Sequence, residues 1–254
     1  MILGLDPIFE QDFSAWGTTL VIVLAKVLIV FALLMVAVMF MIWFERKQIA
    51  MMQNRVGPNV AGPKGLLQTL ADGVKLFFKE DLKPENADMK VFKLAPYLAL
   101  VPAFLTFTIV PLGGNFRDKG GVVRIAGHNT LLQVADPPIG VLFLLAMSSI
   151  AVYGVMLAGW SSGSKYPLLG AVRASAQMIS YEAALGLSLA SVILIAGTLS
   201  TNGIVTSQSS FTRWHVVATG VLPFAIFLIA AAAELNRPPF DLVEAEQELV
   251  GGFN

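Results

Sequence analysis

Five stretches of this chain are long and apolar enough to cross a lipid bilayer, and no other feature constrains its fold as strongly. They run over 17–44, 94–112, 137–158, 168–199 and 214–235, each close to or above the roughly 20 residues that a spanning helix needs. Composition agrees: 56% of the residues are hydrophobic and only 13% are charged, where soluble domains carry about a quarter charged residues. The expected fold is all-α, a polytopic transmembrane helix bundle with five spans. No internal repeat or low-complexity tract divides the chain, so residues 1–254 read as a single membrane domain. The N-terminal residues "MILGLDPIFEQDF" carry no basic region and do not read as a cleaved signal peptide.

The connecting segments orient the spans. The segment 45–93 holds nine Lys or Arg (Arg46, Lys47, Arg55, Lys64, Lys75, Lys79, Lys83, Lys90 and Lys93), and the next connection holds three. Lys165 and Arg173 follow span three, Arg213 follows span four and Arg237 follows span five. First loop, third loop and tail thus total twelve basic residues against four in the even-numbered loops. Basic residues concentrate on the cytoplasmic side, which predicts cytoplasmic charged loops and an N-terminus outside. Overall charge says nothing further: 17 basic and 17 acidic residues cancel, and neither nucleic acid nor an anionic surface is indicated as a partner.

The sequence contains no cysteine and two histidines, His128 and His215, far apart in the chain. Disulfides, thiolate zinc sites, cysteine-ligated iron–sulfur clusters and cysteine nucleophiles are thereby excluded. There is also no phosphate-binding loop, since "GPNVAGPKG" lacks the Gly-Lys-Ser/Thr ending, and no nucleophile elbow or HExxH motif. No cofactor held covalently or by metal ligands is expected in this chain.

After span one comes "WFERKQIAMMQNRVGPN", far more polar than a plain anchor requires. After Pro63, Leu66, Leu67, Leu70, Val74, Phe77 and Phe78 share one helical face and Gln68, Asp72, Lys75 and Lys79 the opposite one. Pro63 suits a first helical turn and Pro84 blocks continuation. This predicts an amphipathic helix over about 63–80, too polar to span, lying at the membrane surface. Two roles stand open for it: an interfacial brace, or a roof whose apolar face holds a greasy ligand.

Charged residues inside a bilayer cost at least about 2.5–3.5 kcal/mol each, so each invites an explanation. Lys26, in span one, reads as a lysine snorkelling toward the outer leaflet. Span four is some 48 Å long at 1.5 Å per residue, longer than the hydrocarbon layer. Arg173, Gln177 and Tyr181 recur on one of its faces, with Glu182 beside them. Glu182 is either a salt-bridged structural carboxylate or a proton-relay group, the latter because such sites shift carboxyl titration toward the working range. The chain closes with "AAAELNRPPFDLVEAEQELVGGFN". Glu234 ends an alanine-rich helix, Pro238-Pro239 breaks it, and Asp241 with Glu244 has capping-box spacing. Glu246 and Glu248 follow. A solvated acidic loop is the ordinary reading of such a run; its interspersed Phe, Leu and Val favour a funnel leading protons to Glu234 and Glu182.

Two segments, "ERKQIAMMQNRVGPNVAGPKGLLQTLADGVKLFFKED" and "AAELNRPPFDLVEAEQELVGGFN", closely resemble the quinone-site membrane subunits of proton-pumping NADH:quinone oxidoreductase (respiratory complex I). The resemblance runs over essentially the whole chain. It implies a quinone chamber, for ubiquinone or menaquinone, partly formed by the first cytoplasmic loop. Arg46 and Arg55 would line its mouth and Asp72 its wall. It implies a proton path through Glu182, Glu234, Asp241, Glu244, Glu246 and Glu248. Flavin and iron–sulfur clusters would sit in partner subunits, alongside a quinone-site hydrophilic subunit and antiporter-like membrane subunits. The membrane would be the bacterial plasma membrane, or the inner mitochondrial membrane in a eukaryote. Family members carry eight spans where this chain shows five, so the expectation is a part of a longer protein. Competing readings are the homologous subunit of a membrane-bound hydrogenase or ferredoxin-linked complex, and a stand-alone proton-coupled transporter. The last predicts inverted repeats, which are not found.

Overall fold

Four helices long and apolar enough to cross a membrane dominate the computed structural model, which describes residues 6–10, 16–80, 83–117, 120–236 and 240. They are α1 (Trp16–Met52), α3 (Met89–Phe107), α4 (Gly140–Ser161) and α5 (Lys165–Ala196). Among the described residues there are also shorter helices: α2 (Gln68–Phe77), α6 (Thr201–Ser207), α7 (His215–Thr219) and α8 (Val221–Glu234). The protein is an integral membrane protein with an all-α framework. Its residues group into two compact units, 20–83 and 1–19 with 84–254.

In the first unit, α1 does not stop where its apolar run ends. It continues through Glu45, Arg46 and Lys47 to Met52, because Glu, Arg, Lys, Gln, Ala and Met are strong helix formers. The segment expected to be a loop from residue 45 is thus helical for two further turns. Asn54, with a φ of 52°, ends it in the left-handed conformation that asparagine tolerates. The amphipathic helix is shorter than the 63–80 expected. Pro63–Gly65 forms a separate 3-10 turn and the α-helix proper covers Gln68–Phe77. Gly65 explains the interruption: its φ is 77°, and a Cβ there would lie 2.3 Å from the Pro58 carbonyl oxygen. Only glycine fits so close a backbone approach.

In the second unit, α4 packs between α3 and α5, and α5 packs in turn on α8. Small residues set these approaches, as is usual between membrane helices. A Cβ on Gly154 would lie 3.0 Å from the Ala95 carbonyl oxygen of α3, and one on Gly159 2.3 Å from the Ala171 Cβ of α5. Val152, Val155, Ala174 and Met178 form the buried apolar cluster of the α4–α5 contact. Asp88 caps α3, its side chain accepting from the Lys90 amide at 3.1 Å.

Span five, expected as one apolar run, is two helices. Gly220 separates α7 from α8 with φ 82° and ψ 168°, a combination essentially restricted to glycine. The connection between α3 and α4, with no predicted regular structure, contains a β-hairpin: β1 (Val122–Ile125) pairs antiparallel with β2 (His128–Leu131), with Ile125 opposite His128. Ala126 and Gly127 both have positive φ, the mark of a two-residue hairpin turn. The buried Asp6 carboxylate holds the hairpin, accepting from Thr130 Oγ1 at 2.8 Å and from the Leu131 amide at 3.3 Å.

Candidate functional site

Each unit carries one cluster of the residues singled out from the sequence. In residues 20–83 the polar face of α2 turns toward the end of α1. Arg46 Nη1 donates to Asp72 Oδ2 at 2.5 Å, and Gln68 Nε2 donates to the other carboxylate oxygen at 3.0 Å. Two further bonds make the seam: Trp43 Nε1 to the Lys64 carbonyl at 3.1 Å, and Thr69 Oγ1 to the Met39 carbonyl at 3.3 Å. The hydrogen bond from Arg46, then that from Gln68, hold the Asp72 carboxyl below its ordinary range, since donors to the charged form favour it. The apolar face is thereby left exposed, with Phe77 and Phe78 at 90% and 87% of their full accessibility. Arg55 does not join this pair; its Nε donates to Gln53 Oε1 at 2.6 Å, two residues away.

In the second unit the carboxylates of span four and span five meet on one helix. Glu182 is on α5 and Glu234 is the last residue of α8, and both are half-buried. Each is held by a serine of α4, and the two serines are adjacent. Ser149 Oγ lies 2.5 Å from Glu182 Oε1, and Ser148 Oγ donates to Glu234 Oε1. The second oxygen of Glu234, Oε2, is buried and has no hydrogen-bond partner among the described residues. Two carboxyl groups anchored on one turn of a third helix, in an apolar bundle, can take up and release protons close to one another. The serines were not singled out from the sequence. Serine is common in membrane helices as an interhelical hydrogen-bonding residue, and nothing in "LLAMSSIAVYG" separates them from packing residues.

The α5 face carrying Gln177 and Tyr181 also finds its partner. Gln177 Nε2 donates to the Phe240 carbonyl at 2.7 Å, and the Tyr181 and Phe240 rings meet edge to face with centroids 4.9 Å apart. Phe240 is therefore docked on α5 between Gln177 and Tyr181, the residue before Glu182. Asp241, Glu244, Glu246 and Glu248, with Arg237, lie outside the described residues. Among the described residues no group of three or more His, Asp or Glu is placed to hold a metal ion.

Comparison with known proteins adds to this geometry. Residues 25–254 match the family model described as NADH dehydrogenase. The chain is 52% identical over 246 residues to the H subunit of NADH-quinone oxidoreductase from Frankia alni, covering 96% of this chain and 52% of the relative. It is 53% identical over 233 residues to the protein of the same name from Frankia casuarinae, covering 92% and 49%. The Streptomyces avermitilis protein, also of that name, is 48% identical over 233 residues, covering 92% and 50%. The chain thus spans about half the length of the curated relatives it matches.

Proposed function

The chain belongs to the NADH dehydrogenase family, and from that premise we propose that it acts as the membrane-embedded H subunit of a proton-translocating NADH:quinone oxidoreductase. In this reading it forms part of a quinone chamber and the start of the acidic path that couples quinone reduction to proton pumping. Its substrate is a membrane quinone, and electrons reach that quinone from flavin and iron–sulfur clusters in partner subunits, because this chain has no cysteine to ligate a cluster. The cofactors perform the redox steps while this chain contributes binding and electrostatics. Its partners are the cluster-bearing and quinone-site hydrophilic subunits and antiporter-like membrane subunits. The N-terminus faces outward and the basic segments face the cytoplasm, following the distribution of Lys and Arg.

The observation that carries this proposal is the convergence of Glu182 and Glu234 on Ser149 and Ser148. Among the described residues both carboxyls are met by hydroxyls, and a hydroxyl can both donate to a carboxylate and accept from a carboxylic acid. Arg46, Asp72 and the exposed apolar face of α2 supply the chamber side of the assignment. A quinone headgroup is a polar ring on an apolar tail, and an amphipathic helix pinned by its polar face offers it an apolar wall.

The test is to purify the complex gently from native membranes and measure NADH-dependent quinone reduction and proton pumping with Glu182→Gln. Loss of both activities in an assembled complex is the expected result. Unchanged pumping in that variant removes Glu182 from the path. Purification without a flavin and iron–sulfur arm overturns the assignment of the electron donor.

A further inference from the structure

Successive residues of an α-helix point about 100° apart, so adjacent serines reach two different neighbours from one level of a bundle. Ser148 and Ser149 of α4 do this, meeting Glu234 on α8 and Glu182 on α5. Ser149 has a second contact: its Oγ is 3.0 Å from the Leu145 carbonyl oxygen, one turn back on its own helix. A hydroxyl carries one hydrogen and two acceptor lone pairs. Ser149 therefore cannot give a full hydrogen bond to Leu145 and to Glu182 at once; it can only share its one hydrogen between them.

Both contacts become full hydrogen bonds when Oε1 of Glu182 carries a proton. Its O–H then donates to Ser149 Oγ, and the serine hydrogen goes to Leu145 O. An ionised Glu182 is an acceptor only. The serine hydrogen then turns toward Oε1, and the Leu145 contact weakens. That loss is small, because the Leu145 carbonyl is also the ordinary α-helical acceptor of the residue 149 amide. No covalent bond to Ser149 forms or breaks in this exchange; only the direction of donation reverses.

We propose that Ser149 is a positioning residue for Glu182, a hydroxyl that reverses its donor direction with the charge of that carboxyl and keeps it in one place in both protonation states. Ser148 holds Glu234 at the same level of α4, so the two carboxyls keep a constant separation while their protons come and go. A serine that merely packs needs one orientation; this one uses two. The inference rests on the proton-path reading of Glu182 given above.

The experiment uses the intact complex in proteoliposomes, with Ser149→Ala, Ser149→Thr and Glu182→Gln compared for proton pumping per NADH oxidised. Infrared difference spectra are recorded alongside, in which the carboxyl C=O band of Glu182 is the one missing from Glu182→Gln. Alanine is the best helix former, and threonine keeps a hydroxyl able to bond the carbonyl one turn back. Ser149→Ala is expected to lower pumping roughly tenfold, the scale of one lost hydrogen bond to a charged group, and to shift the Glu182 band. Ser149→Thr is expected to leave the band in place and pumping within about twofold. Wild-type pumping and an unmoved band in Ser149→Ala, with Glu182→Gln inactive, overturn this inference and leave the proton path standing. Equal loss in the alanine and threonine variants, with the band unmoved in both, makes Ser149 a packing residue and also overturns it. Normal pumping in Glu182→Gln removes the proton path and the inference with it.

Discussion

Arg46 and Asp72 are 26 residues apart in sequence, and their side chains meet at 2.5 Å, joining the end of a membrane helix to the polar face of the amphipathic helix that follows it. Both side chains remain partly exposed, at 47% and 36%, so solvent screens the pair and its worth as an isolated surface salt bridge is small. Its significance is geometric: it selects which face of α2 turns toward α1 and which is left uncovered.

The pair carries a pH dependence of definite sign. Asp72 has a folded-state pKa lowered from 3.8, first by the Arg46 hydrogen bond and then by that of Gln68. A depressed carboxyl stabilises the folded form above its unfolded value and loses that contribution as pH falls through the folded one. Protection of residues 56–80 from proteolysis should therefore be flat above pH 3.8 and decline below it, read by an acid-active protease. Asp72→Asn should show weaker protection at neutral pH, and the decline should vanish.

Glu234→Gln preserves an oxygen that Ser148 can donate to but cannot exchange a proton. The complex should assemble normally and lose activity on the order of 10²-fold, the lower range for a positioned acid–base group. Coupled quinone reduction and pumping checks this, with assembly followed by native gel. Full coupled activity would make Glu234 an organiser of the α4–α8 contact.

Gly159→Ala should destabilise the α4–α5 contact. The added methyl would lie 2.3 Å from the Ala171 Cβ and 2.5 Å from the Pro167 carbonyl oxygen, so the helices must separate. Overpacking of this kind costs about 1–3 kcal/mol, visible as a lowered thermal unfolding midpoint in detergent. An unchanged midpoint would mean that the two helices yield freely.

Gln177→Leu should loosen Phe240, because it removes the 2.7 Å bond to the Phe240 carbonyl and leaves the Tyr181 ring contact. The expected loss is about 1 kcal/mol, typical of one hydrogen bond. Faster hydrogen exchange confined to the peptide after residue 236 would register it. Adding Tyr181→Ala should increase exchange further, since the two contacts share one docking residue and couple.

The sequence alone determined the long apolar helices and the amphipathic helix, because bilayer thickness and helical periodicity act on local stretches of chain. It also marked Glu182 and Glu234, since charge next to or within apolar runs is conspicuous without coordinates, while Arg46 and Asp72 were marked by the family resemblance. Helix ends were less legible. The extension of α1 to Met52 depends on helix propensity winning over the loss of apolar character, and the break at Gly220 on one backbone conformation. The hairpin 122–131 has a signal, two short strands joined by a two-residue turn ending in glycine, hidden in a segment read as a loop. Pairing belonged to the tertiary structure. That Arg46 meets Asp72 while Arg55 bonds Gln53, and that Ser148 and Ser149 divide two carboxylates between them, follows from helix rotation and register. Around α4 those are set by small residues such as Gly154 and Gly159 at helix contacts, and periodicity along one helix carries no information about the rotation of its neighbour.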